Sequence, residues 1–223
     1  MNKAILLKEW IKIRIILLVA LVASFSATIY ALLKINRVVS FKGGFHLWEI
    51  ILTRDVVFIE VLKYIPLLLG VMFAVAQFVP EMTQKRLKLT LHLPYPHTQM
   101  IAMMLLSGIS MLILIDLANV ALMYVYLNSV LPVELLHRVL ITSVPWYMGG
   151  IAAYAVVAWI CLEPTRGRKV SALFVGLGVV YLFFASDYPQ AYDNILGILL
   201  LVIVALFFFA QLSVARFKAG CQD

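Results

Sequence analysis

Charge is scarce in this chain. Only 13% of its 223 residues are Asp, Glu, Lys or Arg, where ordinary soluble domains carry about 25%. With 64% hydrophobic residues, there is too little polar surface to cover a water-soluble core, which excludes a conventional soluble domain. Cysteine is scarce as well: Cys161 and Cys221 supply neither a disulfide framework nor metal-ligand spacing. The four histidines are scattered, and no His/Cys/carboxylate cluster has metal-site spacing, so neither a metal nor a catalytic group is assigned. A GxxxxGK[ST] run is also missing. Gly43-Gly44 is expected to be a turn, without the lysine that a phosphate cradle requires. The chain is therefore expected not to be an enzyme, and any ATP hydrolysis must come from another polypeptide. The net charge of +7 does not point to nucleic acid, because the basic residues flank apolar blocks rather than forming one basic face.

What the chain does have is long apolar runs, with a mean hydropathy of +1.03. Six blocks stand at roughly 15–33, 57–79, 99–127, 139–162, 170–186 and 194–214. Most reach the length of about 20 residues needed to cross the hydrocarbon core. The fifth is short, and the third is long enough to tilt or project. The runs lack period-two alternation, which indicates helices rather than a barrel. The expected fold is an all-α membrane protein with six transmembrane helices in a single domain over 1–223.

Residues 1–14 read as an amphipathic helix lying at the interface. Leu6, Trp10 and Ile13 share one face, and Lys8 and Lys12 another. Spans 1 and 2 then fall within 15–79, a cytoplasmic segment covers 80–98, spans 3–6 fall within 99–214, and a tail follows at 215–223. With the N-terminus inside, twelve of the 18 basic residues lie on the cytoplasmic side, including Lys85, Arg86, Lys88, Arg166, Arg168 and Lys169. That bias places both termini in the cytoplasm. A short surface helix is expected over 45–52, where Phe45, Trp48 and Leu52 line one face.

Four polar residues stand inside or beside the spans. Asp116 and Asn119 share a face of the third span, where a carboxylate is costly unless paired, protonated or wetted. They read either as a polar point on a substrate path or as a helix-packing hydrogen bond. Glu60 and Lys63, three residues apart, read as an interfacial charge cluster. Pro66 is expected to bend the second span. Gly149-Gly150 and Gly176-x-Gly178 permit close helix contact.

The most informative stretch is Phe78–Met100, FVPEMTQKRLKLTLHLPYPHTQM, a basic island between two apolar runs. Leu87, Leu89, Leu91 and Leu93 alternate with Lys88, Thr90 and His92, and Pro94 and Pro96 stop the pattern. Glu81 just after a span, a basic segment, a Leu-rich piece and Leu93-Pro94 before the next span resemble the loop between the second and third spans of ABC-2-type transporter permeases. The family's usual Gly before the Thr/Ser-Leu pair is absent here. The layout of the whole chain is also similar to that family.

The resemblance implies a permease subunit of an ATP-driven ABC exporter in the cytoplasmic (inner) membrane of a bacterium. It would form half of the translocation path beside a second copy or a homologous permease, embedded in the lipid bilayer. A separate nucleotide-binding ATPase subunit would hold ATP and Mg, with no cofactor in this chain. In that reading 80–98 forms a coupling helix. Glu81 stands at the family's acidic position, Leu87, Leu91 and Pro94 form an apolar plug, Lys85, Arg86 and Lys88 a charged rim, and Leu93-Pro94 the end of the motif. The alternatives from other classes are a non-ABC membrane protein (an accessory or immunity factor, or a small membrane enzyme) and a proton-coupled carrier using Asp116.

Overall fold

Long apolar runs become helices in lipid because every backbone N–H and C=O must find its partner within the segment. The computed structural model describes residues 2–53, 59–83, 96–186 and 188–218, but not the side chains of residues 2 and 38–53. Six helices are described: α1 (Asn2–Thr53), α2 (Ile65–Thr83), α3 (His97–Val130), α4 (Val133–Leu162), α5 (Arg166–Leu182) and α6 (Leu196–Lys218). Single 3-10 turns at Glu60–Leu62 and Asp193–Ile195 lead into α2 and α6. No strand occurs among the described residues.

Proline punctuates the chain. Pro96 and Pro132 stand immediately before α3 and α4, with extended backbone, and neither has an N–H to extend a preceding helix. Five helical stretches are long and apolar enough to cross a membrane: Lys3–Arg37, Glu60–Thr83, His97–Val130, Val133–Leu162 and Asp193–Lys218. α5 has 17 residues, and Arg166, Arg168 and Lys169 occupy its first turn. The expected six spans are therefore five such helices and a shorter one.

Two apolar clusters fill the bundle. Ile13, Phe78, Met104, Leu162 and Val214 meet at one end. Ile35, Leu127, Leu135, Phe183 and Leu199 meet at the other. The first end collects the start of α1, the end of α2, the start of α3 and the ends of α4 and α6. It also carries Lys3, Lys8, Lys12, Arg14, Arg216 and Lys218, and is called the basic end below. Large apolar side chains face outward, among them Val125 (71% exposed) and Phe174 (68% exposed). An exposed apolar surface of this extent suits lipid rather than water.

α2 and α4 make the closest backbone approach. A Cβ on Gly70 would land on the Gly150 carbonyl, and one on Gly150 would land on the Pro66 carbonyl. Only glycine permits such contact. Gly149 packs likewise against Phe184, and Gly176 against Val156, whereas Gly178 faces open space. Thus one glycine of the Gly176-x-Gly178 pair makes the expected contact.

Several boundaries differ from the sequence expectations. The 1–14 segment is not a separate element, because α1 runs unbroken from Asn2 to Thr53 and takes in 45–52 as well. Its inward face carries Glu9, Ile13 and Ala20, while Leu7, Trp10 and Ile11 face out. Lys8 and Lys12 therefore turn toward protein, whereas Lys3 is exposed. Pro66 sits at the second position of α2, where its missing N–H costs least, just after the 3-10 turn that opens the Glu60–Thr83 stretch. α2 continues past Val79 to Thr83, with Pro80 inside it.

Candidate functional site

At the basic end, α1 and α2 bring charged side chains into the protein. Lys8, Glu9 and Lys12 share a face of α1, and Gln77 and Glu81, four residues apart, share a face of α2. Glu9, Gln77 and Glu81 are fully buried. Lys12 Nζ lies between them, 3.1 Å from Glu9 Oε1, 2.7 Å from Glu81 Oε1 and 3.2 Å from the Gln77 carbonyl. Lys8 Nζ stands 2.8 Å from the same Glu81 oxygen. Two ammonium groups thus face two carboxylates, and the formal charge balances.

Gln77 extends this network into the bundle. Its amide nitrogen donates to Glu9 Oε2 at 2.9 Å and to the Met104 carbonyl at 2.7 Å. Its side-chain oxygen accepts the Tyr154 hydroxyl at 2.6 Å. Ser107 donates to the same Met104 carbonyl at 2.7 Å. Gly108 makes room for the Tyr154–Gln77 bond, because a Cβ there would overlap both partners. One amide therefore ties α1, α2, α3 and α4 together. Burial of so many polar groups is tolerable only because nearly all are satisfied. The exception is Glu81 Oε2, which is buried without a hydrogen-bond partner and remains open to a further donor.

A third buried carboxylate closes the same end. Glu163, in the α4–α5 connection, accepts from Ser213 Oγ, from Arg216 Nη1 at 3.0 Å and from Thr165 Oγ1 at 3.3 Å. The connection is thereby fixed to the end of α6.

Of the residues expected to couple to a partner, Glu81 alone is described. It turns inward to Lys8 and Lys12 rather than outward, because a carboxylate at a lipid boundary is best held by neighbouring ammonium groups. Lys85, Arg86, Leu87, Lys88, Leu91, Leu93 and Pro94 lie outside the described residues. The Asn119 side-chain oxygen accepts the Thr28 hydroxyl at 2.8 Å, joining α3 to α1. Asp116 lines a small cavity beside it. Glu60 opens the 3-10 turn, and Lys63 places its ammonium 5.4 Å from the Tyr64 ring centroid. Asp116 and Asn119 are brought together; Glu81 is not part of their site.

The residues that reading by motif passed over are Lys8, Lys12, Gln77, Ser107, Tyr154, Glu163, Ser213 and Arg216. A signal existed for Gln77, a polar residue inside an apolar run one helical turn before Glu81. Among the described residues, no three His, Cys, Asp or Glu side chains come together as a metal site. Comparison with protein-family models, with curated proteins and with solved structures finds no match to this chain.

Proposed function

We propose that this chain is the membrane subunit of an ATP-driven ABC exporter, one permease half that receives work from a separate ATPase. The segment 80–98 would be the point of contact, and the basic end would face the cytoplasm with both termini. The observation that carries this reading is the attachment of Glu81, at the head of that segment, to Lys8 and Lys12 of α1. Pulling Glu81 away would strand a buried charge at a cost of about 3–5 kcal/mol. A displacement of the segment would therefore move α1 and α2 as a unit, as packed helices do. The five helices of spanning length and the outward apolar surface agree with a transport bundle.

The test is purification of the full chain from its native membrane. A P-loop ATPase should accompany it and should be lost from the Leu87→Asp/Leu91→Asp variant while the thermal unfolding profile is kept. Retention of the ATPase by that variant overturns the coupling role. A proton-coupled carrier is the second reading, favoured by the intramembrane Asp116. Transport that survives ATP depletion and disappears in Asp116→Asn would establish it instead.

A further inference from the structure

A small cavity lies midway along the bundle, where α1, α3, α4 and the start of α2 meet. Its polar wall is Ser24, Thr28, Asp116, Asn119 and Tyr147. About 10 Å³ is open to the centre of a body the size of water, which is room for one.

The hydroxyl hydrogens of that wall are engaged elsewhere. Ser24 donates to the Leu21 carbonyl at 3.1 Å. Thr28 has the Ser24 carbonyl at 3.0 Å and Asn119 Oδ1 at 2.8 Å. Tyr147 donates to Met123 Sδ at 3.8 Å. Asn119 Nδ2 is held by the Ile115 carbonyl at 2.9 Å, which fixes the amide with its oxygen toward Thr28. Leu62 and Pro66 also line the cavity, and Pro66 has no N–H to offer the Leu62 carbonyl four residues earlier. What remains for an occupant is a set of oxygen lone pairs, one carboxylate and, as donor, the second N–H of the Asn119 amide. Asp116 has no hydrogen bond or ion pair with any other described residue.

An all-oxygen acceptor set selects a hard cation. One carboxylate supplies one negative charge, so the cation is monovalent. A sodium ion meets both the charge and the space as a single body, where a proton on Asp116 would need a water beside it to fill the cavity. We propose that this cavity is a sodium site, with Asp116 as its charged ligand and the oxygens of Ser24, Thr28, Asn119 and Tyr147 completing the wall. Occupancy draws α1, α3 and α4 onto one ion. The inference does not depend on the exporter reading.

The experiment uses the full chain in lipid nanodiscs, titrated with NaCl against KCl and choline chloride at constant ionic strength. Thermal unfolding is followed together with dicyclohexylcarbodiimide modification of Asp116, located by peptide mass spectrometry. Sodium alone should raise the unfolding midpoint in a saturable manner. It should also slow Asp116 modification by more than about tenfold once it exceeds about ten times its Kd. Asp116→Asn should abolish the midpoint shift, and Ser24→Ala, which keeps the carboxylate, should move the titration to higher sodium. Asp116 modification indifferent to sodium would assign the site to protons alone and overturn the proposal. So would a midpoint shift that potassium or choline reproduces equally.

Discussion

Lys12 and Glu81, 69 residues apart in sequence, meet at 2.7 Å and join the beginning of α1 to the end of α2. Lys12 is largely enclosed, whereas about a third of the Lys8 side chain is exposed. The two lysines therefore contribute unequally to holding the same carboxylate. Lys12→Met should lower stability by about 3–5 kcal/mol, because buried Glu9 then loses its ammonium partner and Glu81 keeps only the part-exposed Lys8. Lys8→Met should cost no more than about 1 kcal/mol, since its charge is shared with solvent or headgroups. Unfolding in mixed micelles measures both, and equal losses would refute this ranking.

Tyr154→Phe removes the donor to Gln77 and leaves a buried amide oxygen unpaired, a loss of about 1–3 kcal/mol. Gly108→Ala should be at least as damaging, because its new Cβ overlaps the Tyr154 hydroxyl and Gln77. The double variant should be less damaged than the two losses summed, since Phe lacks the oxygen that the Cβ meets. A double-mutant cycle reads this directly. Strict additivity would mean that the two residues do not share a site.

Gly150→Ala and Gly178→Ala make the same chemical change in opposite surroundings. At Gly150 the new methyl meets the Pro66 carbonyl, so α2 and α4 must separate; at Gly178 it meets nothing. The first should destabilise by more than about 2 kcal/mol. The second should be neutral or stabilise by up to about 1 kcal/mol through helix propensity. Thermal unfolding of the purified variants distinguishes them.

Glu163→Ala should release the α4–α5 connection, which Glu163 holds to Ser213 and Arg216. Limited trypsin digestion should then cut faster after Arg166 and Arg168, with α1–α4 still resistant. Arg216→Met, which leaves Ser213 and Thr165 on the carboxylate, should give a smaller acceleration. Unchanged cleavage in both variants would show that the connection is held by other means.

The helical class and most of the spanning segments were legible in the sequence, because about 20 consecutive apolar residues have one solution in lipid. The roles of the N-terminal lysines were not. Periodicity separates Lys8 and Lys12 from Trp10, but it does not say which face meets protein, and in lipid the polar face turns inward. The helix start at Pro66 was not legible, because a proline within an apolar run reads alike at a helix start and at a bend. The pairing of Asn119 with Thr28 was not legible, since sequence placed Asn119 beside Asp116 on one face without naming a partner on another helix. Gln77 and Tyr154 were not joined, because a bond between residues 77 apart leaves no local trace.

α1 is continuous from the lysines at the basic end to Ser24 and Thr28 halfway along the bundle. A rod without a joint has no means of turning at one place while staying still at another. A twist applied at Lys12 therefore has a continuous helical path to the Asp116 cavity, and a grip on Ser24 and Thr28 has the same path back toward Glu81. Distance along this helix insulates neither polar cluster from the other.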